Sequence, residues 1–369
     1  MLQTVTIVSR DWIAVAAVVA IAAISAAPAW TGPVDWTPDG YFYEAQTLEL
    51  RGASADAALA SVFTGPLTTD RRARERAQLA PRDRRVANRA WVRYSARFYR
   101  RRWTVPLAAA AVYPLFGTRS LDIVSLVGYL AAAAALYALA RLRFGPIAAA
   151  AAAVVVSLLP QYRATALSPL TDTWGVALEA LCLVLAIQYC RTGRRALAAA
   201  WPVAMLALAF TRDNAAAVAL ALLVVGIRSK RALALGVVGA IAAAVPSLWF
   251  GTHYPVLLAY TLADSHIPPS TSLSWSAHHY WNGVDTMLRG LATPLRRGIP
   301  PVTGVGLLVG LVALIAVPRG LFRTILVASV GASVVFMLSL PQDGYRIALV
   351  LLPAAAAGYA ALVTRVSKR

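Results

Sequence analysis

Long apolar runs, separated by short polar or basic segments, dominate the pattern of this chain. Each run approaches or reaches the roughly 20 helical residues that cross the hydrocarbon core of a bilayer. The runs lie at 12–30, 120–140, 146–160, 174–190, 196–210, 215–227, 232–250, 301–317, 324–340 and 347–363. We therefore predict an all-α polytopic membrane protein with about ten transmembrane helices in a single integral membrane domain, 1–369. The apolar stretch 103–117 is short and is interpreted as a surface or re-entrant helix.

Composition narrows the class of protein further. Of the 369 residues, 59% are hydrophobic and only 14% are charged, and the mean hydropathy is +0.63. These values exclude a soluble globular domain, a disordered chain and a disulfide framework. Blocks of small residues such as 131–135 and 148–153 predict helices that approach one another closely in lipid.

The short basic loops predict the orientation. On one side they contain most of the loop cations: Arg10, Arg141, Arg143, Arg191, Arg194, Arg195, Arg228, Lys230, Arg231, Arg319, Arg323, Arg365, Lys368 and Arg369. Because cytoplasmic loops are enriched in Lys and Arg, we predict a cell-membrane protein with both termini in the cytoplasm. The two long loops, 31–119 and 251–300, are then extracytoplasmic. Nearly all acids and all four histidines lie on that outer side, which predicts an extracytoplasmic working face.

The net charge of +19 is concentrated in the first long loop. Thirteen arginines and two acids lie between Arg71 and Arg102, so eleven of the nineteen charges fall there. Arginine recurs at every fourth position beside an aromatic stripe, at Arg85, Arg89, Arg93, Arg97 and Arg101. This pattern predicts an amphipathic helix on the membrane surface. Membrane lipids are therefore expected partners, and nucleic acid is not.

Within that segment, Arg100, Arg101 and Arg102 lie nearest the next apolar stretch. Guanidinium groups match phosphate bidentately, so these three could bind the phosphate of a lipid-linked substrate. Attraction to anionic lipid head groups remains the alternative.

Acidic and aromatic residues follow the first apolar run directly. They are Asp35, Asp39, Tyr43 and Glu44. A carboxylate held at the membrane surface could act as a general base on a hydroxyl group. The alternative is an ordinary interfacial turn built on Pro38 and Gly40.

Further charged residues lie at the outer ends of later spans. Arg212 and Asp213 are adjacent, and we expect them to pair with each other. Asp172, Tyr345 and Arg346 are candidates for substrate contact, with Arg346 placed to face a substrate phosphate.

Glu179 is the one acid well inside an apolar run. A buried acid in a span is costly and is by default a functional candidate, here for a proton or an ion. A hydrogen bond to a neighbouring helix is the alternative.

The order of these motifs resembles the GT-C superfamily of membrane glycosyltransferases, which use polyprenyl-phosphate sugars outside the cytoplasmic membrane. The resembling segments are 39–43, the arginine-rich helix, 105–117, 168–172, 211–213 and 344–346. The resemblance implies an inverting transfer with Asp39 as the matching general base, although the base could also be Asp35 or Glu44. It further implies a polyprenyl-phosphate sugar donor, a glycan, lipid or protein acceptor in the cell envelope, and no required cofactor or metal.

The same resemblance suggests a substrate-binding set around that base. The set is Asp35, Tyr43, Glu44, Arg100, Arg101, Arg102, Asp172, Tyr345 and Arg346. Two other function classes remain open. A transporter or lipid flippase would require polar sites near the middle of the membrane and a repeated half-structure. A non-catalytic accessory membrane protein would require neither.

Overall fold

The computed structural model describes residues 2–31, 38–63, 89–263, 266–296, 302–341 and 345–367, and every regular element in these ranges is a helix. In chain order the first α-helices are α1 (Leu2–Thr31), α2 (Pro38–Leu50), α3 (Ala55–Phe63), α4 (Arg89–Arg100), α5 (Thr104–Phe116), α6 (Ser120–Arg141), α7 (Pro146–Ser157), α8 (Pro160–Ala164) and α9 (Asp172–Thr192). They are followed by α10 (Arg195–Ala209), α11 (Ala215–Gly226), α12 (Lys230–Trp249), α13 (Tyr254–Leu262), α14 (Leu273–Arg296), α15 (Val302–Ala313), α16 (Leu321–Ser339) and α17 (Leu352–Val366). Short 3-10 turns occupy Gly117–Arg119, Leu314–Ala316 and Tyr345–Leu351.

Five helical segments of the described residues are long and apolar enough to cross a membrane. They are Thr104–Arg141, Asp172–Thr192, Lys230–Trp249, Leu321–Ser339 and Ala348–Val366. Five further apolar helices are shorter: Asp11–Ala27, Pro146–Ser157, Arg195–Ala209, Ala215–Gly226 and Val302–Ala316. Each of the ten apolar runs identified in the sequence is thus confirmed as a helix.

The stretch 103–117 forms a short helix, α5, which a 3-10 turn at Gly117–Arg119 connects to α6. The two helices pack against each other rather than continuing in one line, because Val105 of α5 lies in the same buried cluster as Leu121 of α6. The junction is at Gly117, whose φ of +54° lies in the left-handed region that favours glycine. The short apolar stretch is therefore a separate short helix that folds back against α6.

Helix α6 separates two polar regions of the molecule. At its C-terminal end, the Asp11 carboxylate accepts hydrogen bonds from Tyr137 Oη at 2.7 Å and Arg141 Nε at 2.8 Å. At its N-terminal end, Leu121 packs in a buried cluster with Tyr43 of α2. Because Leu121 lies 16 and 20 residues before Tyr137 and Arg141 on α6, these two regions lie about 24–30 Å apart along the helix.

Small residues allow the apolar helices to pack closely. Ala132 and Ala133 of α6 and Ala152 and Ala153 of α7 are fully buried, which confirms the close packing predicted from the alanine blocks. Among the described glycines, the closest approach to another helix joins α15 and α17. A methyl group added at Gly358 of α17 would overlap the backbone of α15.

The α15–α17 crossing generates a stability prediction. We expect Gly358→Ala to lower the free energy of unfolding by about 1–3 kcal/mol, because the new Cβ overlaps the Gly310 carbonyl group and the backbone must shift. Gly304→Ala on the same α15 is the control, since a Cβ there meets nothing within 4 Å. Thermal unfolding in detergent measures both variants. Equal melting temperatures for the two variants would contradict the close approach of α15 and α17 at Gly358.

Candidate functional site

The candidate site is built on α2, which directly follows the undescribed residues 32–37. Pro38 opens the helix, a position where its missing N–H costs nothing, and Asp39 in the first turn interacts favourably with the helix dipole. The helix packs against α3, α4 and α5. Consequently Phe42 and Tyr43 are buried, whereas Asp39 stays partly exposed.

Asp39 is held by a tyrosine from α4. Tyr99 Oη donates a hydrogen bond of 2.8 Å to Asp39 Oδ1. The Tyr99 ring is itself fixed, because it stacks on Phe42 with 4.4 Å between ring centroids. Burial, together with the negative charge of Asp39, raises the pKa of Tyr99 well above its ordinary value. Tyr99 therefore remains a protonated donor, and Asp39 is oriented as an accessible carboxylate.

A second tyrosine of α2 contacts the basic turn between α4 and α5. Arg102 Nη1 donates to Tyr43 Oη at 2.8 Å. Tyr43 Oη also lies 3.3 Å from Thr171 Oγ1, at the start of α9. The Tyr43 side chain is completely buried, so this chain of hydrogen bonds joins α2, the basic turn and α9.

Two adjacent arginines share one carboxylate in this region. Arg101 Nη2 lies 2.7 Å and Arg102 Nη2 lies 3.1 Å from Asp213 Oδ2. The turn that carries the arginines is fixed to the end of α10, because the Thr104 N–H donates to the Phe210 carbonyl oxygen at 3.2 Å. These contacts place Asp213 directly beside the basic turn.

The electrostatics of this cluster follow from its burial. Burial alone would raise the pKa of Asp213, but the charges of Arg101 and Arg102 outweigh burial and hold the pKa below its usual value. Two cations face the Asp213 carboxylate. Because Asp39 also acts electrostatically on Arg102, the two arginines face two carboxylates, and Arg102 Nε is a buried donor without an acceptor in the described part of the chain.

The predicted arginine triplet is divided between two carboxylates. Arg101 and Arg102 face Asp213, whereas Arg100 Nη2 lies 3.0 Å from Glu49 Oε1 at the other end of α2. The described part of the basic helix is amphipathic as predicted. Arg93 is exposed, and Trp91 is buried.

The expected pairing of Arg212 with Asp213 is wrong. Arg212 Nη1 instead donates to Asp172 Oδ1 at the start of α9, and its side chain passes over Gly175. Asp213 points the other way, towards Arg101. Successive residues of the turn after α10 project in different directions, so adjacency in sequence does not produce a contact between the side chains.

The remaining sequence candidates lie in different places. Glu44 is buried on another face of α2 and acts electrostatically on Tyr113 of α5. Asp172 is buried and paired with Arg212, next to Thr171 of the cluster. Asp35 lies outside the described residues. Tyr345 and Arg346 begin the 3-10 turn Tyr345–Leu351, of which the structure describes only the backbone at these two positions.

Sequence reasoning missed two residues of the cluster. Tyr99 resembles the other aromatic residues of an interfacial helix, and its position in the aromatic stripe carries no sign of the contact with Asp39, which is 60 residues away. Thr171 has a single polar hydroxyl at a helix start, a position where threonine is common. Contacts over such separations depend on how α2, α4 and α9 pack together.

The described residues contain no group of three or more His, Cys, Asp or Glu side chains that could hold a metal ion. The partly exposed Asp39 carboxylate can accept a proton, and Arg102 is a cation that lies close enough to interact with it electrostatically. No protein-family model and no curated protein matches the chain.

The buried cluster generates a stability prediction. We expect Asp213→Asn to lower the free energy of unfolding by about 3–5 kcal/mol, because Arg101 and Arg102 then lose the carboxylate that balances their buried charges. Asp56→Asn is the matched control, since Asp56 pairs with Arg93 on an exposed surface and such pairs contribute little. Chemical denaturation in detergent compares the variants. A similar loss of unfolding free energy in both variants would contradict a stabilising role of the contact between Asp213 and the two arginines.

The pH dependence of stability tests the charge state of Asp213. The pKa of Asp213 is depressed in the folded protein. The ionised Asp213 side chain therefore contributes fully to the free energy of unfolding above the pKa of an unfolded aspartate, about 3.9. This contribution is lost as the pH falls through the lower pKa of the folded protein. We expect the difference in melting temperature between wild type and Asp213→Asn to stay constant from about pH 7 to pH 5 and to shrink as the pH falls below the unfolded pKa of about 3.9. A difference that does not change on acidification below that pKa would show that the pKa of Asp213 is not depressed.

Proposed function

We propose that this chain is a membrane glycosyltransferase of the GT-C type, which moves a sugar from a polyprenyl-phosphate donor to an acceptor in the cell envelope. The observation that supports this proposal is the oriented Asp39 carboxylate, with Tyr99 at 2.8 Å, beside the Arg101–Arg102 turn. A base for the acceptor hydroxyl and a cation for the leaving phosphate are the two groups that such a transfer requires.

In the proposed reaction Asp39 accepts the proton of the acceptor hydroxyl. The hydroxyl oxygen attacks the anomeric carbon from the face opposite the lipid phosphate, and the bond between that carbon and the phosphate oxygen breaks, which inverts the configuration. Negative charge accumulates on the departing phosphate. Arg102 is our candidate for stabilising that charge, since its Nε has no acceptor among the described residues.

The other arginines of the triplet take different roles in this proposal. Arg101 is 2% exposed and is bound to Asp213, which suits it to hold Arg102 in place rather than to meet a ligand. Arg100 is engaged with Glu49. Arg346 remains a candidate for the same phosphate on the strength of the sequence resemblance.

We also propose that the protein is a multi-pass protein of the cell membrane, with about ten spans, both termini in the cytoplasm and the Asp39 site on the extracytoplasmic face. Five helical segments are long and apolar enough to cross a membrane. The separation of Asp11 and Arg141 from the Asp39 cluster by the length of α6 supports this orientation, since Arg141 and Arg143 belong to a basic loop of the type that stays inside. The proposed partners are membrane lipids, the lipid-linked donor and a glycan, lipid or protein acceptor.

The proposed base generates an activity prediction. We expect Asp39→Asn to lower transfer by about 10²–10⁴-fold, because the amide accepts no proton, while the melting temperature changes little at this partly exposed position. Purified protein in lipid is offered radiolabelled polyprenyl-phosphate sugars with a cell-envelope extract as acceptor. Asp56→Asn, on the neighbouring α3, is the control that should retain activity.

The outcomes of this assay separate the alternatives. Equal transfer by wild type and Asp39→Asn would reject Asp39 as the base. No transfer by folded wild-type protein from any donor would reject the glycosyltransferase proposal and favour a transporter or an accessory protein.

A further inference from the structure

Glu179 lies inside α9 and has one described polar contact. Its side chain is completely buried. Asn214 Nδ2 donates a hydrogen bond of 2.6 Å to Glu179 Oε2. Asn214 occupies the residue before α11, where an asparagine side chain commonly caps the helix, yet it makes no cap hydrogen bond here. The Asn214 side chain is thus directed to Glu179 instead of its own helix.

The two remaining oxygens of this pair lack donors. Glu179 Oε1 and Asn214 Oδ1 are both buried with no hydrogen-bond partner among the described residues. If Glu179 were a carboxylate, both atoms would be acceptors facing no donor, which is costly in an apolar interior. One proton on Glu179 Oε1 supplies the missing donor for Asn214 Oδ1. A carboxylic acid and a primary amide then exchange two hydrogen bonds, so that Glu179 Oε1 and Asn214 Oδ1 both gain a partner.

The surrounding charges do not require a carboxylate at Glu179. Arg212 is the cation that acts electrostatically on Glu179, and its guanidinium group is already bound to Asp172. The Arg212 side chain passes over Gly175, between Asp172 and Glu179 on the same face of α9. The Asp172 carboxylate therefore balances the charge of Arg212, and an ionised Glu179 would add an unbalanced negative charge inside an apolar helix.

Three consecutive residues of one turn each hold a different partner. Arg212 binds Asp172 and Asn214 binds Glu179, both on α9, while Asp213 between them binds Arg101 and Arg102. Fixing the residues on both sides of Asp213 fixes the direction of its carboxylate. The Glu179–Asn214 pair is therefore connected to the basic turn of the candidate site.

We propose that Glu179 is a neutral carboxylic acid paired reciprocally with the Asn214 amide, and that this pair positions Asp213 against Arg101 and Arg102. The protonation state of Glu179 does not depend on whether the protein has the proposed enzymatic activity. The consequence for catalysis rests on the proposed function, in which Asp213 holds Arg101 and Arg102 in place and Arg102 faces the phosphate.

The first experiment measures the protonation state by infrared spectroscopy of the protein in lipid at neutral pH. We expect a carbonyl stretching band of a protonated carboxylic acid that is present in wild type and absent in Glu179→Gln.

The glutamine amide can replace both hydrogen bonds of the acid, so we expect the melting temperature of Glu179→Gln to match wild type. Glu179→Leu, which leaves the Asn214 amide unpaired, should melt about 5 °C lower.

These results can overturn the proposal directly. A wild-type spectrum without a carboxylic-acid band that Glu179→Gln lacks would show that Glu179 is ionised. A Glu179→Gln protein that is as unstable as Glu179→Leu would show that the negative charge, and not the reciprocal pair, stabilises the turn.

The second experiment measures positioning through the chemical reactivity of the arginines, with phenylglyoxal as the probe and mass spectrometry as the readout. In wild type, Arg101 and Arg102 are buried against Asp213 and should react slowly. We expect Asn214→Leu to raise their rate of modification about tenfold through local opening of the turn. Glu179→Gln should leave the rate unchanged.

Arg141 is the internal control for this experiment. It pairs with Asp11 at the opposite end of α6, so its modification rate should be the same in all variants if the fold is intact. Unchanged rates at Arg101 and Arg102 in Asn214→Leu would reject the positioning role. Neither experiment depends on sugar transfer, so failure of the glycosyltransferase proposal and failure of this one are distinguishable.

Discussion

The contact of Asp213 with Arg101 and Arg102 constrains most of the polar structure. Ions buried in a protein lose their hydration, and the loss is balanced only when opposite charges meet with good geometry. Here one carboxylate lies 2.7 Å and 3.1 Å from two guanidinium groups. The basic turn between α4 and α5 must therefore lie beside the turn between α10 and α11. The placement of α2 follows, because Tyr43 binds Arg102 and Asp39 binds Tyr99 on α4.

The helical framework could be predicted from the sequence because its cause is local. Apolar residues in runs of suitable length form helices wherever the backbone must satisfy its own hydrogen bonds in an apolar environment, and all ten runs are helical. The junction at Gly117 was harder to predict. Its positive φ lets the chain reverse so that α5 packs against α6, and the sequence alone does not show where a short apolar helix lies relative to the next one.

The candidate site was predictable in part. Asp39, Tyr43, Arg101 and Arg102 were selected by residue type and by their position after the first apolar run, and the structure brings them together. The partners Tyr99 and Thr171 could not be selected in this way. Tyr99 is 60 residues from Asp39, and Thr171 is 128 residues from Tyr43. The error at Arg212 has the same origin. Charge pairing was expected between neighbours in sequence, whereas a buried charge pairs with whichever opposite charge the helix packing brings near.

The depth of the Arg101–Asp213 contact also determines how the protein responds to dissolved ions. Mobile ions screen exposed charges over a Debye length of about 10 Å at 0.1 M salt, but they act weakly on charges that solvent does not reach. The Arg101 side chain is only 3% exposed, whereas Arg93 and Asp56 are 71% and 80% exposed. Ionic strength will therefore weaken the interactions of surface charges such as Arg93 and Asp56 while leaving the inner charge arrangement intact. The surface charges and the electrostatics around Asp213 thus respond separately to the composition of the surrounding medium.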